Sequence, residues 1–268
     1  MSTTRILLVR HGDSHSKSDG VYAGPRACRG LTGLGREQSA RLRDRLVANG
    51  IKPDAVYSST IHRAAQTAGI LAEAFAPLTP VHDCGLCGFH LDDSLDGLSW
   101  DRIRAEFQHR DEAGRPDGGV FTPFEEGNES WAELVARVGR TLTGLAVRHA
   151  GGTVIAVLHK ESLEASLIAF GALPLYRDFD VEVGRASITE WVTEDDPATP
   201  WDVENPRGLP VRWRLSRFND CAHLEGFEGL EGREGREGLE GLESLEGLES
   251  LKGLEGIEGL EGLEGLAD

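Results

Sequence analysis

A chain of 268 residues is long enough to bury one full hydrophobic core, and its formal net charge of −17 argues against bulk nucleic-acid binding. No stretch approaches the ~18 apolar residues of a membrane-spanning helix, and the N-terminal run Ile6–Val9 is too short for a secretory signal. The 4 cysteines lack framework spacing, so a cytoplasmic protein bound to neither membrane nor nucleic acid is expected.

"TRILLV" at 4–9 is a short apolar run ending at a polar turn and predicts a buried strand. Residues 33–50 carry Leu34, Ala40, Leu42, Leu46 and Val47 on an amphipathic helix that stops at Asn49-Gly50. A second strand is expected over 54–59 and a second helix over 62–75, ended by Pro77. Residues 77–126, rich in Gly, Pro and Asp, read as irregular with one short helix near 99–108. A long helix over 130–152, a third buried strand over 153–158 and a helix over 162–171 follow. Residues 186–192 and 211–218 alternate polar and apolar side chains and read as strands pairing antiparallel at an edge.

The chain closes on a Glu-Gly-Leu repeat of period three. Residues 225–268 hold 14 acidic against 3 basic side chains, which is −11 of the −17 and leaves −6 for residues 1–224. A helix of about 3.6 residues per turn would spiral such leucines around its surface, and each glycine costs about 1 kcal/mol of helix propensity. Collagen-like spacing without proline makes no triple helix. The expectation is a body over 1–224 and a disordered acidic tail over 225–268, with leucines that offer at most weak adhesion.

Strand–helix alternation through residues 4–171 predicts an α/β three-layer sandwich, a mostly parallel sheet with helices on both faces. Ligands in such sheets bind beyond the carboxyl ends of the strands. Those ends read "RHGDS" (10–14), "SSTIHR" (58–63) and "HKES" (159–162), so one crevice is expected to gather Arg10, His11, Arg63 and His159. Arginine forks match phosphate oxygens, and a neutral imidazole beside them can attack phosphorus. The chain contains no Gly-Lys dipeptide and hence no Walker loop.

"RHG" at 10–12, "GLTGLGREQ" at 30–38, "SSTIHRAAQTA" at 58–68 and the strand-terminal His159 together resemble the histidine phosphatase superfamily, the phosphoglycerate mutase-like family, over most of residues 4–218. The resemblance implies a phosphohistidine on His11, with Arg10, Arg63 and His159 binding the phosphoryl oxygens. It implies Ser14, Ala23 and Gly24 at the mouth of a site for a small phosphorylated substrate. It also implies no metal and no cofactor, because arginines supply the positive charge. Oligomeric state is left open.

Two departures stand out. The family usually has glycine after the strand-terminal histidine, where this chain has Lys160-Glu161; Lys160 is a candidate phosphate contact, and Glu161 could pair with it or repel substrate. The family's carboxylic acid, in a Leu-x-Glu pattern, aligns with Gly88 of "LCGFHLDDSLDG" (86–97), which leaves Asp92 and Asp93 as candidate proton donors from the same loop. The alternative is a weak or inactive phospholigand-binding member. A mutase is disfavoured, since the basic residues of 77–126 reduce to Arg102, Arg104, Arg110 and Arg115. The same loop spells H-x-C-x-x-C-x-x-H with His82, Cys84, Cys87 and His90. Four zinc-type ligands in so few residues require a cramped loop, and a redox pair lacks a helix start after a strand, so the cysteines are read as small loop residues.

Overall fold

The computed structural model describes residues 3–103, 105, 106, 120–123, 125–171, 173–176, 180–194 and 212–227. The chain divides into two units, Met1–Glu225 and Gly226–Asp268. Of the second, only Gly226 and Phe227 are described, so residues 228–268 of the expected tail lie outside the described residues, as do Arg104, Arg110 and Arg115.

The first unit is built on one sheet of strands β1 (Thr4–Arg10), β2 (Ala55–Ser58), β3 (Val81–His82), β4 (Thr153–Leu158), β5 (Ile188–Glu194) and β6 (Arg212–Asp220), in the order β3-β2-β4-β1-β5-β6. β3, β2, β4 and β1 run parallel, while β5 pairs antiparallel with β1 and β6 with β5. The antiparallel edge is as expected. β3 falls in the segment read as irregular, because two residues carry no periodic signal.

Helices α1 (His15–Ser18), α2 (Gly33–Ala48), α3 (His62–Ala72), α4 (Trp131–Arg148) and α5 (Lys160–Gly171) connect the strands. α2 is capped by Thr32, whose hydroxyl accepts from Gly35 N at 3.0 Å, and it stops before Gly50 at φ 66°. α4 starts at a capping box of Ser130 and Glu133. α5 starts at Lys160, two residues before the expected start, directly behind β4. Residues 100–103, 105 and 106 are helical, in the place of the expected short helix. Among the described residues, no helix is long and apolar enough to cross a membrane.

Strand alternation sends side chains to two cores. Ile6, Leu8, Val154, Ala156 and Leu158 pack with Leu134, Val138, Leu142 and Leu163 of α4 and α5. Leu7, Val9, Ile155 and Val157 pack with Leu42, Leu46, Ala64 and Leu71 of α2 and α3. The sandwich therefore has helices on both faces, and β1, β2 and β4 deliver their carboxyl ends to one edge.

At that edge the turn after β1 lies directly on α2. A Cβ on Gly12 would clash with the Gly35 carbonyl, and one on Gly35 would fall inside the Asp13 carbonyl oxygen. Both obstacles are backbone, so neither can swing aside. Gly35→Ala is expected to destabilise the body by about 1–3 kcal/mol in urea unfolding. An unchanged midpoint would contradict this tight seat.

Candidate active site

β1 ends in Arg10, and His11 follows it into the crevice with only 3% of its surface exposed. His11 Nδ1 lies 2.7 Å from the Gly12 carbonyl, which can only accept, so Nδ1 carries the proton. Nε2 therefore presents its lone pair. It accepts from Arg63 Nε at 3.1 Å and from Arg185 Nη1 at 3.2 Å.

Arg63, on the first turn of α3, spans the crevice. Its Nη1 donates to the Ala23 carbonyl at 2.7 Å and its Nη2 to His159 Nδ1 at 3.2 Å. His159, buried at the end of β4, must then carry its proton on Nε2, which donates to Ser59 Oγ at 2.8 Å. Ser59 Oγ also accepts from Ile61 N at 3.1 Å, so its own proton points to Cys87 Sγ, 3.2 Å away. Arg10 donates through Nη1 to the Val183 carbonyl, and its buried Nε has no hydrogen-bond partner among the described residues.

Three guanidinium groups and two imidazoles thus share one buried corner. Burial, then Arg185, Arg63, His159 and Arg10, hold His11 well below the usual imidazole range. Burial, then Arg63, Arg10 and Arg185, do the same to His159. Burial, aided by Arg10, brings Arg185 down to about 9. The corner is short of negative charge, which a phosphate dianion supplies.

These shifts have a definite pH consequence. In the unfolded chain both histidines protonate near pH ~6.5, whereas in the folded chain they stay neutral below it. Their contribution to stability is therefore fully present above about pH 6.5 and is lost as pH falls, by up to about 1.4 kcal/mol per unit for each histidine. Urea unfolding between pH 7.5 and 5 is expected to show this slope, and a shallower one in His11→Asn. Equal slopes in the two proteins would refute the assignment.

The crevice gathers Arg10, His11, Arg63 and His159 as expected. The other expected residues make the following contacts. The Ala23 carbonyl holds Arg63, and Gly24 N donates to Asp96 Oδ1 at 2.7 Å. The buried Asp96 carboxylate also accepts from Arg26 N at 2.7 Å, tying the mouth to the 86–97 loop. Ser14 is buried, with its hydroxyl 2.9 Å from Ser16 Oγ. Lys160 Nζ lies 3.4 Å from Glu164 rather than against Glu161. Arg102 pairs with Glu106 on the short helix, at 2.7 Å.

Both candidate loop aspartates are exposed. Asp92 is exposed and caps a turn, accepting from Ser94 N at 2.8 Å, and hydrogen bonding from Ser94, its side chain first and then its backbone, holds the carboxyl below the usual range. Asp93 is exposed and lies 3.7 Å from Arg26. A different carboxylate stands beside Gly88. A Cβ built on Gly88 would lie 3.4 Å from Glu161 Oε2 and 3.7 Å from His159 Cβ.

The sequence profile of the histidine phosphatase superfamily (branch 1) matches residues 6–203. The chain belongs to this superfamily. Among its relatives in the superfamily, phosphoglycerate mutase-like protein 4 of Arabidopsis thaliana is 30% identical over 58% of this chain and 65% of its own length. The metal-independent phosphoserine phosphatase of the same plant is 32% identical over 60% of this chain and 66% of its own length. The matched part of the chain therefore spans just under two thirds of each of these relatives. Among solved histidine phosphatase folds, Bacillus stearothermophilus YhfR superposes with TM-score 0.67 at 24% identity, covering 83% of this chain and 100% of that one. The mycobacterial glucosyl-3-phosphoglycerate phosphatase solved with VO3 gives TM-score 0.62 at 25% identity, over 80% and 98%.

Two further residues border this crevice, Arg185, which had no signal in the sequence, and Glu161, which the sequence marked only as a departure beside Lys160. Arg185 sits in an unremarkable "VGRAS" segment and reaches the corner because Ala186 N bonds the His11 carbonyl at 3.4 Å. Glu161 is one of many acids along the chain, and only its place at the start of α5 brings it opposite Gly88.

Proposed function

We propose that this superfamily member is a metal-independent phosphomonoester hydrolase working through a phosphohistidine on His11. The observation that carries the reading is the unprotonated Nε2 of His11 held between Arg63 and Arg185. Nε2 attacks phosphorus; the P–N bond forms as the ester P–O bond breaks. Arg10, Arg63, Arg185 and His159 stabilise the charge that builds on the equatorial oxygens. The buried Nε of Arg10 offers a further donor to the phosphoryl group.

Glu161 supplies the proton. Its Oε2 lies 3.4 Å from the place of a Cβ on residue 88, so the acid approaches the leaving oxygen from α5 instead of from the loop. The departing alkoxide takes the Glu161 proton. The carboxylate then accepts a proton from water, which attacks phosphorus, breaks the P–N bond and releases inorganic phosphate. This supports an active enzyme over a binding-only member, for which the glycine at position 88 was the motive. The phosphatase names of two of the relatives favour hydrolysis over phosphoryl return to a second hydroxyl.

The test is phosphate release from 4-nitrophenyl phosphate by the full chain in excess chelator. Turnover equal to that without chelator is expected. A folded protein with no turnover, or one that needs an added divalent ion, would sink the reading.

A further inference from the structure

The H-x-C-x-x-C-x-x-H stretch takes no direct part in this chemistry, yet its side chains converge. The ligand atoms of Cys84, Cys87 and His90 all lie within 4.8 Å of one another. Cys84 Sγ is 3.3 Å from His90 Nε2. Around a tetrahedral zinc ion with ordinary Zn–S and Zn–N bonds, ligand atoms stand roughly 3.5–3.8 Å apart. His82 is not among them, and its Nδ1 lies 2.8 Å from Ser58 Oγ.

The loop that carries the three residues is held in place. Cys84–Leu86 forms a single 3₁₀ turn capped by Asp83, whose side chain accepts from Gly85 N. Arg137 of α4 donates to the carbonyls of Cys84, Gly85, Cys87 and Gly88 and is itself paired with Glu129 at 2.7 Å. Glu129 also accepts from His90 N at 3.1 Å. Cys87 Sγ accepts a hydrogen bond from the Ser59 hydroxyl at 3.2 Å and lies 3.2 Å from Thr60 Oγ1, the kind of support that stabilises a metal-bound thiolate. Cys84 and His90 are exposed while Cys87 is buried, so an ion would enter from solvent and keep an open fourth position.

We propose that Cys84, Cys87 and His90 form a site for a thiophilic divalent cation, Zn²⁺ by ligand type. The ion sits outside the phosphate pocket and is linked to it by two hydrogen bonds, Cys87 to Ser59 and Ser59 to His159. It fastens the loop that carries Gly88. This site is independent of the hydrolase reading, since binding is measured without substrate.

The experiment titrates reduced, chelator-treated full-length protein with Co²⁺ and then displaces it with Zn²⁺. One equivalent is expected to bind with a thiolate-to-cobalt charge-transfer band and the d–d bands of a four-coordinate ion. Zinc is expected to raise the thermal midpoint by about 5 °C at ~100-fold excess over its dissociation constant. Zinc should also slow alkylation of Cys84 and Cys87, a readout that needs no variant. Cys84→Ser and His90→Gln are each expected to weaken binding by more than the ~10–100-fold caused by loss of a merely supporting contact. Uptake through the carboxylates of the acidic repeat gives no thiolate band. Absence of that band in the wild type, its persistence in Cys84→Ser/His90→Gln, or unprotected cysteines in excess zinc would overturn the proposal.

Discussion

Replacing His11 with alanine is expected to remove hydrolysis of aryl and alkyl phosphates alike, by roughly 10⁴–10⁶-fold, the scale on which loss of a covalent nucleophile is felt. In the proposed mechanism the imidazole is the attacking group, so a better leaving group does not compensate for its loss. The fold should survive, because the turn at Gly12 is held by backbone: His11 N donates to the Leu158 carbonyl at 3.0 Å and Thr32 N to the Asp13 carbonyl at 3.1 Å. Steady-state assay measures the loss. Rapid quench of the wild type with labelled substrate should trap an acid-labile, base-stable phosphoryl group that is absent from His11→Ala. A variant that keeps more than a few per cent of activity, or a wild type whose label is acid-stable, would exclude the phosphohistidine.

The second large effect concerns Glu161. Glu161→Gln keeps the shape and removes the proton. Turnover of alkyl phosphates should fall by about 10²–10⁴-fold, the usual contribution of a general acid. Turnover of 4-nitrophenyl phosphate should fall far less, since that leaving group departs without help. The gap between the two substrates separates a proton donor from a residue that merely shapes the pocket. Because Gly88 and Glu161 face the same space, the double change Gly88→Glu/Glu161→Gly should restore much of the alkyl activity. Asp92→Asn and Asp93→Asn should leave both rates near wild type. If either aspartate variant shows the alkyl-specific loss and Glu161→Gln does not, the acid lies on the loop.

Much of this site is legible because it follows from local chain chemistry. Apolar runs such as Ile6–Val9 and Val154–Leu158 must be buried, and parallel strands place their carboxyl ends together, so Arg10, His11 and His159 meet whatever the loops do. Arg63 follows the same rule, because α3 begins four residues after the last residue of β2. Arg185 obeys no such rule: it comes from a connection between strands, and its seat depends on how Val183–Ser187 lies across the end of β1.

The 86–97 loop separates the two kinds of knowledge. Its sequence shows that a carboxylate is missing at Gly88 and that two cysteines and a histidine recur at short spacing. It does not show which acid fills the gap, because proximity across the crevice depends on where α5 starts relative to the loop. Asp92 and Asp93 are near in sequence but face solvent, whereas Glu161 is distant in sequence and adjacent in space. Nor does it separate His82 from Cys84, Cys87 and His90, since the pairing of β3 with β2 is what engages His82 with Ser58. The sequence by itself determined the α/β sandwich and the meeting of Arg10, His11, Arg63 and His159 at one sheet edge, all products of strand periodicity and parallel topology. Only the tertiary structure places Glu161 beside Gly88, Arg185 against His11, and Cys84, Cys87 and His90 together, because each depends on a contact between segments that local pattern does not encode.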